Sequence, residues 1–307
     1  MKRGVVILGV FVADTAYRAG RMPRMGETIL GESFALGPGG KGSNQAVAVG
    51  RLGEPVTFIT RLGDDAFGEM AVRTWQEAGV TPAVTRVPES YTGAAFIFVD
   101  ARSGDNAIII SPGAAATIAP ADLDAQAATI ERAAVFVTQL EQPLDAARRG
   151  LEIARAAGVT TILNPAPAAA LPDDLLALCD YVTPNETEAA ELTGLPVGSL
   201  DEARAAADRL IARGSGAAVI TLGAEGALLH GHGRSELVPA VPVGPVVETT
   251  GAGDAFNGGF ATGLARGLDP VAAVRLGCAV AGISVTRAGT APSMPTAAEV
   301  EAVLGRG

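Results

Sequence analysis

Cysteine and histidine are scarce in this chain of 307 residues, which contains two of each. Cys179 and Cys278 lie in apolar surroundings, and neither stands at the spacing of a metal-ligand motif. A disulfide framework or a zinc site requires more of these residues at closer spacing. We therefore expect a cytoplasmic protein with two buried free thiols.

Basic charge is also in short supply, because 23 Lys and Arg face 33 Asp and Glu, which gives a net charge of −10. A protein with this excess of negative charge repels nucleic acids and anionic membranes, so we expect neither as a partner. A nucleotide is still compatible with the charge, since backbone N–H groups can supply a local positive potential.

Lysine contributes only two of the basic residues, at positions 2 and 41, and Arg supplies the other 21. Lys41 lies inside a glycine-rich loop. In a chain so biased towards Arg, this position suggests a use for the compact ammonium group of lysine.

Long apolar runs are missing, and none approaches the ~18 residues of a membrane helix. The apolar run at residues 4–13 follows Lys2 and Arg3, as in a signal peptide. However, Asp14 ends the run and no clean cleavage site follows it. A Val/Ile-rich run of this length is typical of a buried strand, which we place at residues 5–12.

Strand-like and helix-like segments alternate along most of the chain. The predicted strands cover residues 5–12, 56–60, 135–138, 159–163, 181–182 and 217–221. The predicted helices cover residues 44–52, 67–78, 144–157, 186–192 and 200–212, and residues 253–286 are helical in pattern. This alternation predicts an α/β fold, with a mostly parallel sheet and helices on both of its faces. No linker divides the chain, so we predict one domain over residues 1–307.

Two segments break this rhythm, at residues 28–36 and 93–110, where short β-rich runs flank a Gly-Asp turn. They predict antiparallel strands outside the main sheet. We interpret them as a small β lid, with strands drawn from about residues 12–37 and 91–113.

The loop GPGGKGSN at residues 37–44 contains the pattern G-x-G-x-x-G. A dinucleotide-binding loop would follow the first strand of a βαβ unit, whereas this loop follows a predicted lid strand. A Walker A loop would have Ser or Thr where Gly42 stands and Gly where Ala35 stands. What remains is a tight loop that opens a helix and presents Lys41 and Asn44 to a ligand, or else a plain turn with a helix cap.

The segment TTGAGDAFNGG at residues 249–259 joins a small-residue turn to a helix. Gly251, Ala252 and Gly253 would leave successive N–H groups bare, which creates an anion-binding nest. Asp254 follows directly and could accept a hydroxyl proton beside that pocket, the pairing that phosphoryl transfer to an alcohol needs. Alternatively, Asp254 only complements the helix dipole.

Three further features lie at the carboxyl ends of predicted strands, where α/β sheets bind ligands. TPNETE at residues 183–188 precedes a helix, although Asn185 and Glu188 could also form an ordinary capping box. TLGAEG at residues 221–226 is a glycine turn. Glu141 follows the strand at residues 135–138.

Together and in this order, the motifs resemble those of the ribokinase (PfkB) family of carbohydrate kinases. The resemblance spans essentially the whole chain and includes GGKG at 39–42, NQA at 44–46, GDD at 63–65, QLE at 139–141, NPAP at 164–167, TPNETE at 183–188, TTGAGD at 249–254 and VTR at 285–287. It implies a Rossmann-like core, a β lid that pairs in a homodimer, ATP as donor, Mg²⁺, and activation by K⁺.

The resemblance also implies site residues. Sugar contacts would come from Asp14, Gly40, Lys41, Gly42, Ser43, Asn44, Glu141 and Asp254. Nucleotide contacts would come from Asn185, Thr221, Gly223, Gly226, Gly253 and, by position, Cys278. Glu188 would act on Mg²⁺ through water. A K⁺ site would involve Glu248, Thr250, Ser284, Arg287, Gly289 and Ser293, mostly through carbonyl oxygens.

The implied reaction is phosphoryl transfer from ATP to the primary hydroxyl of a small sugar, with Asp254 as the base and the amides of Gly251, Ala252 and Gly253 stabilising charge. D-ribose is the first candidate substrate. Val12 stands where ribokinases carry Asn, and Glu248 where their cation site usually opens with Asp. A 2-deoxy-D-ribose kinase or another sugar kinase of the family is the alternative. An NAD-dependent oxidoreductase that binds its cofactor at residues 37–42 is a remote alternative.

Overall fold

The strands predicted from β-branched runs form two separate sheets in the computed structural model, which describes residues 2–305. In chain order the strands are β1 (Val5–Leu8), β2 (Val12–Ala19), β3 (Ser33–Gly39), β4 (Val56–Leu62), β5 (Val80–Arg86), β6 (Thr92–Asp100), β7 (Asn106–Gly113), β8 (Val135–Thr138), β9 (Thr160–Leu163), β10 (Tyr181–Val182), β11 (Ala217–Thr221), β12 (Gly226–Gly231) and β13 (Arg234–Pro239).

The helices connect these strands and close the chain. They are α1 (Lys41–Arg51), α2 (Ala66–Glu77), α3 (Pro120–Ala125), α4 (Ala127–Arg132), α5 (Leu144–Ala156), α6 (Asp173–Leu176), α7 (Glu186–Thr193), α8 (Leu200–Ala212), α9 (Ala252–Ala265), α10 (Pro270–Ser284) and α11 (Ala297–Leu304).

The main sheet has nine strands in the order β13-β12-β11-β10-β9-β8-β1-β4-β5. Its strands pair in parallel from β5 to β11, and only β12 and β13 join antiparallel, as an edge hairpin. Val5 and Ile7 of β1 belong to one buried apolar cluster, while Val6 and Leu8 belong to the other. A strand buried on both faces needs helices on both sides of its sheet, so the predicted α/β fold is confirmed.

The single strand predicted over residues 5–12 is wrong at its carboxyl end. β1 stops at Leu8, and β2 starts at Val12 in the other sheet. A side chain on Gly9 would lie 2.7 Å from the Cα of Gly42, so the chain passes very close to the glycine-rich loop as it leaves the main sheet. The helix predicted from Asn44 begins earlier, at Lys41, because Gly40 supplies its N-cap with a φ of 89°.

The second sheet is the predicted lid, with four strands in the order β3-β2-β6-β7. Two of its pairings, β2 with β3 and β6 with β7, are antiparallel as expected. The central pairing of β2 with β6 is parallel, which the prediction of an antiparallel lid did not include. The two hairpins therefore join side by side through strands that run in the same direction. Among the described residues, no helix is long and apolar enough to cross a bilayer.

Candidate active site

The glycine-rich loop and the start of α1 form one wall of the site. A side chain on Gly40 would lie 2.5 Å from the carbonyl oxygen of Val10, so this position, at positive φ, requires glycine. The backbone N–H of Lys41 donates to Glu141 Oε2 at 2.8 Å. Glu141 follows β8, and this bond therefore ties the loop from the lid to the carboxyl edge of the main sheet.

The start of α9 forms the opposite wall. Gly251 is its N-cap, with a φ of 82°. The N–H of Ala252 donates to the carbonyl of Thr249 at 3.1 Å. The prediction that this amide is free to bind an anion is therefore wrong. Within residues 2–305, the N–H groups of Gly251 and Gly253 donate to no acceptor. These two amides can still bind an anion at the helix N-terminus.

Asp254 lies on the first turn of α9 and is 6 % exposed. Its Oδ2 accepts from Asn44 Nδ2 at 2.9 Å and its Oδ1 accepts from Gln45 Nε2 at 3.2 Å. Burial raises the pKa of Asp254, while the charge of Lys41 and the two amide bonds oppose that rise. A buried carboxylate with a raised pKa is a stronger proton acceptor than a solvated one.

Gln45 is a functional residue that the motif analysis left without a role. Its side chain is fully buried, donates to Asn164 Oδ1 at 3.1 Å and accepts from Gln139 Nε2 at 2.7 Å. It therefore links Asp254 to residues that follow β8 and β9. The sequence signal for it is a long amide near the start of a helix, directly before the apolar residues 46–49.

Three buried amide oxygens have no hydrogen-bond partner among the described residues, and they are Asn44 Oδ1, Gln139 Oε1 and Gln142 Oε1. Buried polar atoms are nearly always satisfied in folded proteins, so each needs an explanation. Asn44 also donates to Asp254. Its unpaired oxygen is therefore suited to accept from a ligand hydroxyl held next to the base.

Asp14 and Glu141 bring two more carboxyl groups into the same cleft. Burial, and to a lesser degree the charge of Asp254, raises the pKa of Asp14 to about 6. Burial also raises the pKa of Glu141 to about 7, against the charge of Lys41. A side chain on Gly39 would lie 2.2 Å from Asp14 Oδ2, so the carboxyl group rests directly on the loop backbone.

Val12 is paired with Gly39 and lies two residues before Asp14 on β2. Because side chains alternate along a strand, Val12 and Asp14 share one face. Val12 is buried, and it belongs to an apolar cluster that also contains Ala95. The structure thus places an apolar side chain beside the acid predicted to bind the sugar.

The predicted nucleotide-binding residues lie along the carboxyl edge of the sheet. Asn185 caps α7 and forms a reciprocal capping box with Glu188. The capping box considered above as an alternative role for this pair is therefore formed. Asn185 also forms a bridge with Thr221 at the end of β11. Burial raises the pKa of Glu188, and the charges of Lys41 and Asp254 act on its carboxyl group in opposite directions.

The remaining predicted nucleotide contacts are the two turn glycines and Cys278. Gly223 and Gly226 have φ values of 51° and 112°. A side chain on Gly226 would lie 2.1 Å from the carbonyl of Val238, whereas one on Gly223 would contact only Glu186 Oε1, at 3.7 Å. Cys278 is buried on α10, its Sγ lies 4.0 Å from the carbonyl oxygen of Val238, and burial raises the pKa of its thiol to about 11. It is therefore an uncharged thiol, and its contact with a nucleotide stays a prediction.

The predicted cation site joins the loop before α9 to the loop after α10. Glu248 Oε2 accepts from the N–H of Gly289 at 2.8 Å, and the N–H of Glu248 donates to the carbonyl of Val285 at 3.1 Å. Arg287 forms an ion pair with Glu299, so its side chain is engaged elsewhere. The other predicted members of this site are Thr250, Ser284 and Ser293, and the last two are buried.

Metal-ligand clusters of three or more His, Cys, Asp or Glu are absent from residues 2–305. The predicted cation site offers backbone carbonyl oxygens, hydroxyl oxygens and the carboxylate of Glu248. Oxygen donors of this kind are suited to hard cations.

An acid buried beside free amides at a helix N-terminus, between the edge of a parallel sheet and a lid, is the arrangement that a small-molecule kinase needs. The sequence model of the "pfkB family carbohydrate kinase" matches residues 2–297, and the chain belongs to this family. The oxidoreductase considered for residues 37–42 is thereby ruled out.

The relatives found by sequence cover nearly the whole chain. A ribokinase of Haemophilus influenzae is 38 % identical over 300 residues, which is 97 % of each chain. A deoxyribokinase of Salmonella typhimurium is also 38 % identical, over 294 residues and 95 % of each chain. The names of these two relatives indicate different sugar substrates, yet both relatives are equally similar to this chain.

Solved structures agree with this assignment. Arabidopsis thaliana ribokinase complexed with ribose and ATP superposes with a TM-score of 0.94 at 31 % identity, over 99 % of both chains. Ribokinase from Thermotoga maritima gives a TM-score of 0.89 at 32 % identity, again over 99 % of both chains. The predicted fold and family are confirmed.

Proposed function

We propose that this protein transfers the γ-phosphoryl group of ATP to the primary hydroxyl of a pentose, with D-ribose to D-ribose 5-phosphate as the first candidate reaction. The observation that carries this proposal is the buried carboxylate of Asp254 beside the unpaired amides of Gly251 and Gly253. The structure of Arabidopsis thaliana ribokinase is a complex with ribose and ATP, which supports the same donor and acceptor classes here.

In the proposed reaction the sugar hydroxyl gives its proton to Asp254 while its oxygen bonds to the γ-phosphorus. The bond from that phosphorus to the bridging oxygen breaks, and ADP leaves. The amides of Gly251 and Gly253 donate to the transferring oxygens, where negative charge is concentrated. Burial of Asp254 keeps competing water from its carboxylate.

The sugar would be held by groups from three elements. Asp14 and Glu141 accept from hydroxyls, the unpaired Asn44 Oδ1 accepts from another, and the side chain of Lys41 donates. The raised pKa values of the two acids fit this role, because hydroxyl donors would stabilise carboxylates that burial now destabilises. The glycine at position 39 leaves the space above Asp14 free of side chains.

A 2-deoxy-D-ribose kinase is the second candidate, and Val12 is the observation that favours it. Val12 is 3 % exposed and can pair with no hydroxyl group. A relative named deoxyribokinase is as similar to this chain as the ribokinase from Haemophilus. We therefore propose weak discrimination between the two sugars, and assign ribose first because ribokinases are more numerous among the relatives described above.

The nucleotide would lie along the carboxyl edge of the sheet, near Asn185, Thr221 and the turn of Gly223 and Gly226. Mg²⁺ would neutralise its phosphates, as it does in other phosphoryl-transfer enzymes. Glu188 fits a water-mediated contact with this ion, because one of its oxygens is used by the capping box and the other is not. The two loops that contain Glu248 and Gly289, joined by the bond between these residues, fit a K⁺ ion bound mainly by carbonyl oxygens.

We further propose that two copies of the chain pair through the lid. The lid strands expose large apolar side chains, which a water-soluble monomer rarely gathers on one sheet. They are Tyr17, Phe34, Leu36, Ile108, Ile109 and Ile110. Sedimentation of wild type and Ile109→Asp would test this, since a lid-mediated dimer should dissociate in the variant and any other dimer should not.

The proposed activity is tested by measuring ADP release with ATP, Mg²⁺ and one sugar at a time. The panel is ribose, 2-deoxyribose, fructose and adenosine, and NMR of the product locates the new phosphate. Phosphorylation of the primary hydroxyl of a pentose is the expected result. A preference for fructose or adenosine would replace the pentose, and failure of every sugar to stimulate ADP release would reject the proposal.

A further inference from the structure

The motif GDD at residues 63–65 has no part in the site described so far. It lies between β4 and α2, where lid strand β6 begins close by. Asp65 is the N-cap of α2, and its Oδ1 accepts from the N–H of Gly68 at 2.8 Å. Its second oxygen, Oδ2, accepts from the N–H of Thr92, the first residue of β6, at 2.7 Å. One carboxylate therefore bonds both a core helix and a lid strand.

Thr92 forms a second hydrogen bond to the same turn, and in this bond its side chain is the acceptor. Its buried Oγ1 accepts from the N–H of Gly63 at 3.0 Å. A side chain on Gly63 would lie 2.5 Å from the carbonyl oxygen of Ser90, so the two segments approach as closely as their backbones allow. The carbonyl of Gly63 is held in turn by Arg86 Nη1 at 2.8 Å. The β4–α2 turn thus fixes the point where the lid strand leaves the core.

The charge state of Asp65 strengthens the link. Burial would raise its pKa, but the N–H donors of Thr92 and Gly68 lower it overall. The side chain is therefore ionised at neutral pH, and hydrogen bonds to an ionised acceptor are stronger than those between neutral groups.

The strand that Asp65 holds is the one that positions Asp14. β6 pairs in parallel with β2, and Asp14 is directly opposite Ala95. Thr15 Oγ1 also donates to the carbonyl of Ala95 at 2.7 Å. Because Ala95 is only three residues beyond Thr92, a displacement at Thr92 moves the strand that carries the proposed sugar-binding acid.

We infer that Asp65 is a positioning residue for sugar binding, which ties lid strand β6 to the core and so fixes Asp14 relative to Asp254. This inference rests on the proposed function, since it concerns the affinity for the sugar. The competing explanation is that Asp65 only caps α2, a role that any good N-cap residue fills.

Asp65→Ser separates the two explanations. A serine hydroxyl can cap α2 through Gly68, but it has no second oxygen for the N–H of Thr92. Asp64→Asn is the matched control, because Asp64 is the exposed neighbour and its side chain makes no hydrogen bond among the described residues. Thr92→Val and Thr92→Ser form a second pair, in which only the serine retains the hydroxyl that accepts from Gly63.

Two measurements decide the matter. Hydrogen exchange of ligand-free protein should be faster over residues 92–100 in Asp65→Ser and Thr92→Val, and unchanged in Asp64→Asn and Thr92→Ser. The KM for the sugar should rise about fivefold in the first two variants, with the KM for ATP within about twofold of wild type.

The inference is overturned if Asp65→Ser matches Asp64→Asn in the exchange of residues 92–100, because Asp65 would then be a helix cap alone. It is equally overturned if exchange rises but the KM values for sugar and ATP rise together. The exchange experiment contains no substrate. A wild-type protein without sugar-dependent turnover would therefore count against the proposed function, while the anchoring of β6 would still be decided.

Discussion

Asn44 Nδ2 donates to Asp254 Oδ2 at 2.9 Å, across 210 residues of sequence. The bond exists because α1 and α9 pack unusually closely: a side chain on Gly258 would lie 2.5 Å from the Cβ of Ala48. The small residues of α9 thus bring the proposed base to the start of the helix that carries the glycine-rich loop. The proposed base and the glycine-rich loop proposed to bind the sugar therefore belong to one packed helix pair.

Replacing the proposed base is the most direct test of the mechanism. Asp254→Asn should lower kcat by roughly 10²–10⁴, the usual contribution of a general base. The amide oxygen can still accept from Asn44 or Gln45, but the new amide nitrogen faces the other donor. Removal of a buried charge offsets that loss, so we expect a melting temperature close to that of wild type.

ATP binding by calorimetry is the control for this variant, since Asp254 is proposed to contact the sugar and not the nucleotide. Unchanged ATP affinity with a large fall in kcat supports the assignment. Turnover near the wild-type rate would show that another group takes the proton.

Gln45 offers a test of how the base is tuned. Gln45→Met removes the donor to Asp254 Oδ1 and fills the same space with a flexible apolar chain. Loss of a hydrogen bond to the ionised form raises the pKa of Asp254 further, so the acidic limb of the kcat/KM profile should move up by about 0.5–1 pH unit. Gln76→Met, at an exposed position on α2, is the matched control. An unmoved acidic limb would mean that Gln45 only supports the fold.

Regular periodicity predicted much of the fold, because strands such as β8 and helices such as α8 are bounded by residues with strong local preferences. The end of β1 could not be predicted in this way. Residues 9–12 are as apolar as the strand before them, and only the close approach of Gly9 to Gly42 diverts the chain. The parallel pairing of β2 with β6 also depends on contacts between distant segments.

The site residues also differ in whether local sequence or distant contacts determine their roles. Asp254 and Lys41 could be found from local glycine patterns, since the geometry that exposes them is encoded within a few residues. The roles of Gln45 and Asp65 depend on partners that are distant in the chain. The glycine pattern also predicts a free amide at Ala252, whereas this N–H donates to the carbonyl of Thr249.

Because burial raises the pKa of Glu141, we expect this residue to destabilise the fold at a pH high enough to ionise it. An acid with a higher pKa in the folded chain stabilises the fold at low pH, and this contribution is lost as the pH rises through about 7. Glu141→Gln should therefore raise the free energy of unfolding by ~1–3 kcal/mol at pH 8 and by less than about 1 kcal/mol at pH 5. The glutamine oxygen can still accept the N–H of Lys41, so the loop should keep its geometry.

Urea unfolding at both pH values measures this difference. Glu131→Gln, which removes one acid at an exposed site, is the control. A Glu141→Gln variant that is equally stable relative to wild type at pH 5 and pH 8 would contradict the prediction. Its affinity for the sugar should fall, because an ionised acceptor is lost.

The proposed monovalent site predicts a cation order. K⁺ should raise kcat, and Na⁺ should do so less, because a ring of carbonyl oxygens at fixed spacing suits the larger ion. Glu248 is already bonded to the N–H of Gly289, so the response should be modest, and Glu248→Asp should alter it. Rates measured in K⁺, Na⁺ and a bulky organic cation at equal ionic strength test this. Equal rates in all three would dismiss the site.

Val12 leads to the sharpest prediction about substrate choice. A site that hydrogen-bonds a substrate hydroxyl rejects the analogue without it, because its own polar group is then left unpaired. Val12 is buried and apolar, and a hydroxyl placed against it loses water without compensation, at a cost of about 1–3 kcal/mol. Asp14 lies two residues away on the same face and can still accept from neighbouring hydroxyls, which keeps ribose a substrate.

We therefore expect wild-type kcat/KM values for ribose and 2-deoxyribose to be similar, and Val12→Asn to shift their ratio towards ribose by roughly tenfold or more. Val12→Ala is the matched control, since it changes volume without adding a polar group and should leave the ratio near that of wild type. The alternative is that Val12 only packs against lid residues such as Ala95, while another residue reads the hydroxyl. A strong wild-type preference for ribose that persists in Val12→Asn would establish that alternative, because the amide would then have no hydroxyl within reach.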